Sequence, residues 1–208
     1  MNYSITFPKG DLLTVIEGVE VWWDGMFMAY TAKMSIDGDG GYRTYHEDDD
    51  VALDYLANAG YPGNWWGVAT DTGEADGDPV KQKSSDPCPG YYVSPTAYEH
   101  TDYAHTDPRR YLDSESVIFS VTPPQLRQLV GPIVLGCRVR MENLENGLVT
   151  WGLVGDVGPK DKLGEASIAA AEALGIPSSP KNGGTSEHKI FYTLIPGLTV
   201  PGYELKPA

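Results

Sequence analysis

The sequence predicts a mainly β fold in a single domain, and three observations carry that expectation. Runs rich in β-branched and aromatic residues recur along the chain, among them residues 12–16, 19–23 and 148–154. Glycine (24 residues) and proline (16 residues) punctuate these runs throughout, which favours short strands and loops over long helices. No heptad pattern, internal repeat or Pro/Gly/Ser linker divides the 208 residues, a length that suits one domain burying about 70% of its unfolded surface.

Taken in order, residues 1–36 read as strands: 12–16 and 19–23, separated by Gly18, and then 26–34. The string Asp37-Gly38-Asp39-Gly40 follows. It resembles the start of a calcium loop, but Gly41 stands where a third ligand belongs and Tyr42 replaces the turn glycine, so no metal is expected. Residues 53–60 read as a short helix ending at Gly60, and Trp65-Trp66 follow a Pro62-Gly63 turn. Of two adjacent tryptophans on a strand, one points inward, so one packs and the other is free to form a sugar-stacking platform. After a polar loop over 71–90, strands are expected at 91–93, 117–121 and 133–140. The apolar strand 148–154 runs into Gly155-Asp156 and stops at Gly158-Pro159, since proline cannot donate to a ladder. Ser167 then caps a short helix that Ala169, Ala170 and Ala171 propagate and Gly175 and Pro177 end. A final strand, 188–195, closes before Pro196-Gly197.

Composition narrows the function. With 29 acidic and 15 basic residues the net charge is −14, which disfavours nucleic acid, whose phosphates need a basic footprint, and suits a cationic partner. Cys88 and Cys137 are the only cysteines, open to one disulfide or two thiols, and no His/Cys cluster suggests zinc. No apolar run approaches membrane-spanning length, and MNYSITFPKG lacks the features of a signal peptide. No cofactor is expected: phosphate-binding loop, dinucleotide fingerprint and serine-elbow motifs are all missing.

The chemistry concentrates at two carboxylates nine residues apart, Asp156 at a strand end and Glu165 before a helix, each next to glycine. A pair of carboxyl groups on either side of a glycosidic bond is the working equipment of most glycoside hydrolases. The same residues also fit a strand–loop–helix unit whose acid favours the helix N-terminus. The stretch GDVGPKDKLGEAS resembles the signature of the family-75 glycoside hydrolases, the fungal-type chitosanases, whose essential acids then match Asp156 and Glu165. DVGP followed by SIAAAEALGI is also similar to double-psi β-barrel proteins, including lytic transglycosylases of the rare lipoprotein A type. LDYLANAGYPGNWWG looks like bacterial members of the chitosanase family, and Arg110-Tyr111-Leu112-Asp113-Ser114 like its Arg-Tyr-x-Asp-Ser segment. One departure is Leu135-Gly136-Cys137, where the family has an acid in place of the cysteine.

The resemblance, covering roughly residues 32–194, implies a single catalytic domain over 1–208, built on a six-stranded double-psi-like barrel with loop insertions and a few short helices. It implies endo-hydrolysis of β-1,4-linked glucosamine in chitosan by an inverting two-carboxylate mechanism. Glu165 is expected as acid and Asp156 as base, on the ground that a polar glycine turn keeps Asp156 ionised. Asp37, Asp39, Trp65, Trp66, Tyr111 and Asp113 are the implied substrate-binding residues. The implied partner is a cationic aminosugar polysaccharide, bound by a monomer that works outside the cell. Two alternatives remain: a peptidoglycan-cleaving muramidase or lytic transglycosylase, which needs one acid, and a non-catalytic expansin-like barrel.

Overall fold

The computed structural model describes residues 10–129 and 133–206; the expectations for residues 1–9 lie outside that span. The strands are β1 (Asp11–Ile16), β2 (Val19–Trp23), β3 (Met28–Asp37), the two-residue pair β4 (Gly60–Tyr61) and β5 (Asn64–Trp65), β6 (Phe119–Thr122), β7 (Cys137–Asn143), β8 (Val149–Val157), β9 (Glu165–Ser167) and β10 (Thr185–Thr199). Two short α-helices, α1 (Leu126–Leu129) and α2 (Ile168–Ala173), and two 3₁₀ turns, Leu56–Asn58 and Pro108–Arg110, accompany the strands among the described residues. β3, β10, β7, β8, β6 and β9 lie side by side, and β9 pairs back with β3, closing a six-stranded barrel. Two of the six pairings are parallel, β3–β9 and β6–β8; the others are antiparallel. The β1–β2 hairpin extends the sheet from β3 outside the barrel.

Alternation builds the core. β7 buries every second residue, Cys137, Val139, Met141 and Asn143, as period 2 requires of a strand with one covered face. These meet Met28, Tyr30 and Met34 of β3, Phe119 of β6, Leu153 of β8, and Ile190, Tyr192 and Leu194 of β10, all fully buried. The Tyr30 and Tyr192 rings stack at 4.9 Å. α2 packs Ala170 and Ala171 into the same core, and Ser167 caps it by accepting from the Ala170 N–H at 3.2 Å.

Several elements differ from the sequence expectation. Residues 53–59 form only a 3₁₀ turn, Leu56–Asn58, and Gly60 opens β4. There Asp54 accepts from the Tyr55 N–H at 2.8 Å and from Asn58 Nδ2 at 2.9 Å, bonds that compete with a helical ladder. Residues 91–93 contribute a single bridge, Tyr92 to Lys81. β7 starts at Cys137 because Leu135 bridges Lys206 instead of continuing the ladder. β10 runs on through Pro196 and Gly197, because its register against β7 slips between Ile195 and Thr199, where a proline loses no ladder bond.

Candidate active site

β8 carries Asp156 and ends at Val157, directly before the Gly158-Pro159 stop expected from the sequence. Against β6, Ser120 pairs with Val154 while Val121 pairs with Asp156, so Gly155 is an extra residue, a β-bulge. Without that residue Asp156 would be shifted by one and face the opposite side of the sheet. Only glycine fits there: a Cβ would lie 2.6 Å from the Phe119 Cβ and 2.7 Å from Leu112 Cδ1. Val121 also pairs with Glu165 on its other side. Asp156, Val121 and Glu165 therefore form one row across three strands, with the two acids separated at Cα level by two strand spacings, roughly 9–10 Å. Gly164 places Glu165: its φ is +81°, and a Cβ would lie 2.2 Å from the Lys33 carbonyl oxygen. The close approach lets the Ser35 N–H donate to the Gly164 carbonyl at 2.8 Å and sets β9 against β3.

Asp37 ends β3, and the turn after it is held from all sides. The Asp39 N–H donates to Asp37 Oδ1 at 2.8 Å. Thr44 and Ser114 hydroxyls both donate to the Gly38 carbonyl, and Tyr45 and Ser94 hydroxyls donate to Asp39 Oδ1 at 2.8 and 3.1 Å. One carboxylate oxygen from each of Asp37, Asp39 and Asp156 lies within 4.8 Å of the others. These acids and Glu165 line a cleft of about 850 Å³, with Tyr45, Asp54, Asn58, Trp66, Ala97 and Lys162 also in its wall. Three carboxylates at that spacing can hold a hard divalent cation or an ammonium group, both of which take oxygen partners.

Crowding and burial set the protonation. Burial, then the charges of Asp39, Asp156 and Glu165, push Asp37 well above the usual carboxylate range. Burial raises Asp39 to about 6 against the hydrogen bonds from Tyr45 and Ser94. Asp156 goes to about 7, raised first by burial and next by Asp39, although its Oδ1 accepts from the Ala97 and Val157 N–H groups at 2.9 and 2.7 Å. Burial also raises Glu165, but Lys162 and Lys33 oppose the shift. The expected ground for an ionised Asp156, a polar glycine turn, is therefore corrected: it sits within a strand among other carboxylates.

The remaining sequence candidates divide. Trp66 is 57% exposed, lines the cleft, and is fixed by donating from Nε1 to the Asn58 carbonyl at 2.8 Å. Trp65 is buried, stacks with Tyr92 at 6.5 Å and belongs to a small separate core. Tyr111 is buried too, donating its hydroxyl to the His105 carbonyl at 2.7 Å. Asp113 holds a turn, accepting from the Glu115 N–H at 3.2 Å and the Ser116 hydroxyl at 2.7 Å. Trp65, Tyr111 and Asp113 are thus not among the cleft-lining residues, because each side chain is committed to packing or to a turn. Sequence reading missed Asp54, Tyr45 and Lys162: Asp54 lay in a presumed helix, and no local signal marks Tyr45 or Lys162.

No helix among the described residues is long and apolar enough to cross a membrane. No family model matches the chain and no curated protein matches it, so the chemistry of this cleft rests on its own geometry.

Proposed function

We propose that the protein is an endo-acting glycoside hydrolase that cleaves β-1,4-linked glucosamine in chitosan with inversion. The observation that carries this reading is the placement of Asp156 and Glu165 on either side of Val121 in an open acidic cleft. A Cα spacing of roughly 9–10 Å is compatible with the carboxyl separation of about 6.5–9.5 Å at which a water fits between one carboxylate and the sugar, as inversion requires. The roles that the electrostatics favour are the reverse of those expected from sequence. Asp156, crowded by carboxylates, keeps its proton and donates it to the leaving glycosidic oxygen. Glu165, beside Lys162, is the better carboxylate to take a proton from water as that water attacks the anomeric carbon. Asp37, Asp39 and Asp54 supply the carboxyl oxygens with which ammonium groups of the polymer can pair, and Trp66 supplies an exposed ring for stacking.

Reducing-end release on chitosan, chitin and peptidoglycan tests the reading; turnover confined to peptidoglycan, or none at all, overturns it. Early products followed by NMR are expected to carry the α-anomer, and a β-anomer appearing first defeats the inverting assignment. The two tryptophans separate binding from packing. Trp66→Ala is expected to raise KM for chitosan roughly tenfold with the melting temperature unchanged, one stacked ring contributing about 1–1.5 kcal/mol. Trp65→Ala is expected to lower stability by about 3–5 kcal/mol, measured by urea denaturation, because it empties a buried site.

A further inference from the structure

Residues 177–184, between α2 and β10, form a strap that is firm within itself. The Gly183 N–H donates to the Ser179 carbonyl and the Gly184 N–H to the Pro177 carbonyl, each at 2.7 Å. One end is rooted on the barrel, where Thr185 pairs with Met34 of β3. Its tip reaches the loop that carries Asp54. There Lys181 Nζ donates to the Asp49 and Ala52 carbonyls, the second at 2.8 Å, and lies 5.1 Å from the centre of the Tyr55 ring. Among the described residues, both hydrogen bonds from the strap to residues 44–58 come from this one ammonium group.

The strap separates two spaces. Pro180 and Ile36 line both the acidic cleft and a hollow of about 470 Å³ behind the strap. Pro180 sits against Gly38, where an added Cβ would lie 3.1 Å from the Pro180 Cγ. On one side the cleft is walled by Val121, Asp156 and Glu165 of the barrel, and on the other by Tyr45, Asp54 and Asn58. Pro180 and Lys181 therefore bridge the two walls at the boundary between cleft and hollow. The hollow gives the strap room to swing. Gly175 (φ +67°) and Gly184 (φ +80°) bracket it, and glycine readily absorbs the backbone rotation of a hinge.

Cleavage within a polymer makes a geometric demand on such a bridge. A mid-chain segment continues past the cleft in both directions, so a barrier at either boundary excludes it, whereas a short oligomer ends before the barrier. What holds the barrier shut is local: two charge-assisted hydrogen bonds and one ring contact, all made by a single side chain. Because the strap keeps its own hydrogen bonds, breaking these contacts frees it as a unit. Cleft and hollow then form one longer trough.

We propose, resting on the chitosanase reading of the cleft, that Lys181 is a specificity-determining latch: it pins the strap across one end of the cleft, and its release admits the interior of a polymer chain. Latched, the cleft takes short oligomers and chain ends. Released, it takes mid-chain segments, and endo-cleavage proceeds through this state.

The test compares kcat/KM on long chitosan with kcat/KM on the glucosamine tetramer, using the full chain. Lys181→Met keeps a stem of similar length and removes the charge and the donors. It is expected to raise the polymer-to-tetramer ratio roughly three- to tenfold, through KM for the polymer, with tetramer turnover unchanged. Viscosity lost per reducing end released should rise with it. Tyr91→Phe is the control. It removes the hydroxyl that donates to the Val51 carbonyl at 3.1 Å, so it loosens the same loop without touching the latch, and the ratio should stay as in the wild type. Thermal melts confirm that both variants are folded. An unchanged or lowered ratio in Lys181→Met, or an equal rise in Tyr91→Phe, overturns the latch and leaves the chitosanase reading standing. A wild type that cuts neither substrate overturns that reading, and the latch with it.

Discussion

Asp156→Asn and Glu165→Gln are each expected to lower turnover on chitosan by about 10²- to 10⁴-fold with the fold intact, the usual worth of a general acid or base. Neither change removes a core contact, because both side chains line the cleft. The two losses differ in how they are rescued. A substrate with an activated aryl leaving group needs no protonation, so it should restore much of the activity of Asp156→Asn and little of Glu165→Gln. Azide needs no base to attack, so it should rescue Glu165→Gln and yield the α-glycosyl azide. The reversed pattern would return the acid role to Glu165. Wild-type activity in Glu165→Gln would end the two-carboxylate mechanism and point to one-acid chemistry.

Asp37→Asn is expected to make the protein more stable at pH 8, by about 2 kcal/mol or ~4–8 °C, and to change little at pH 4. Asp37, Asp39, Asp156 and Glu165 all bind their protons more tightly in the folded protein than in the unfolded chain. Below about pH 4 both states are protonated and the cluster imposes no penalty. As pH rises toward 6 and 7, where Asp39 and Asp156 titrate, the unfolded chain has already released its protons and the folded protein must follow against burial and mutual repulsion. Stability therefore falls across that window and stays reduced above it. Asn at position 37 keeps the acceptor for the Asp39 N–H and removes one charge from the cluster. Thermal melts at both pH values check this, and an equal effect at each would overturn it. An acidic centre that weakens its own fold is the expected signature of a site kept for binding or chemistry.

Much of this was legible locally. Strands β1, β2 and β8 and helix α2 follow from β-rich runs, glycine breaks and a serine cap, all written within a few neighbouring residues. The pair Asp156 and Glu165 was visible for the same reason: the glycine beside each acid is the local mark of a bulge or a close approach. Their shared cleft with Asp37 was reachable only through resemblance, since β3 and β9 are joined by a parallel pairing across more than 120 residues of chain. Asp54, Tyr45 and Lys162 carry no motif and enter the cleft by folding alone. Which tryptophan faces out depended on the small core around Tyr92, and the placement of Tyr111 and Asp113 on the partners that satisfy them. The proton affinities were least legible of all. They depend on how many like charges share one buried volume, and a chain read in order holds Asp37 and Asp156 far apart; only barrel closure puts their oxygens within 4.8 Å.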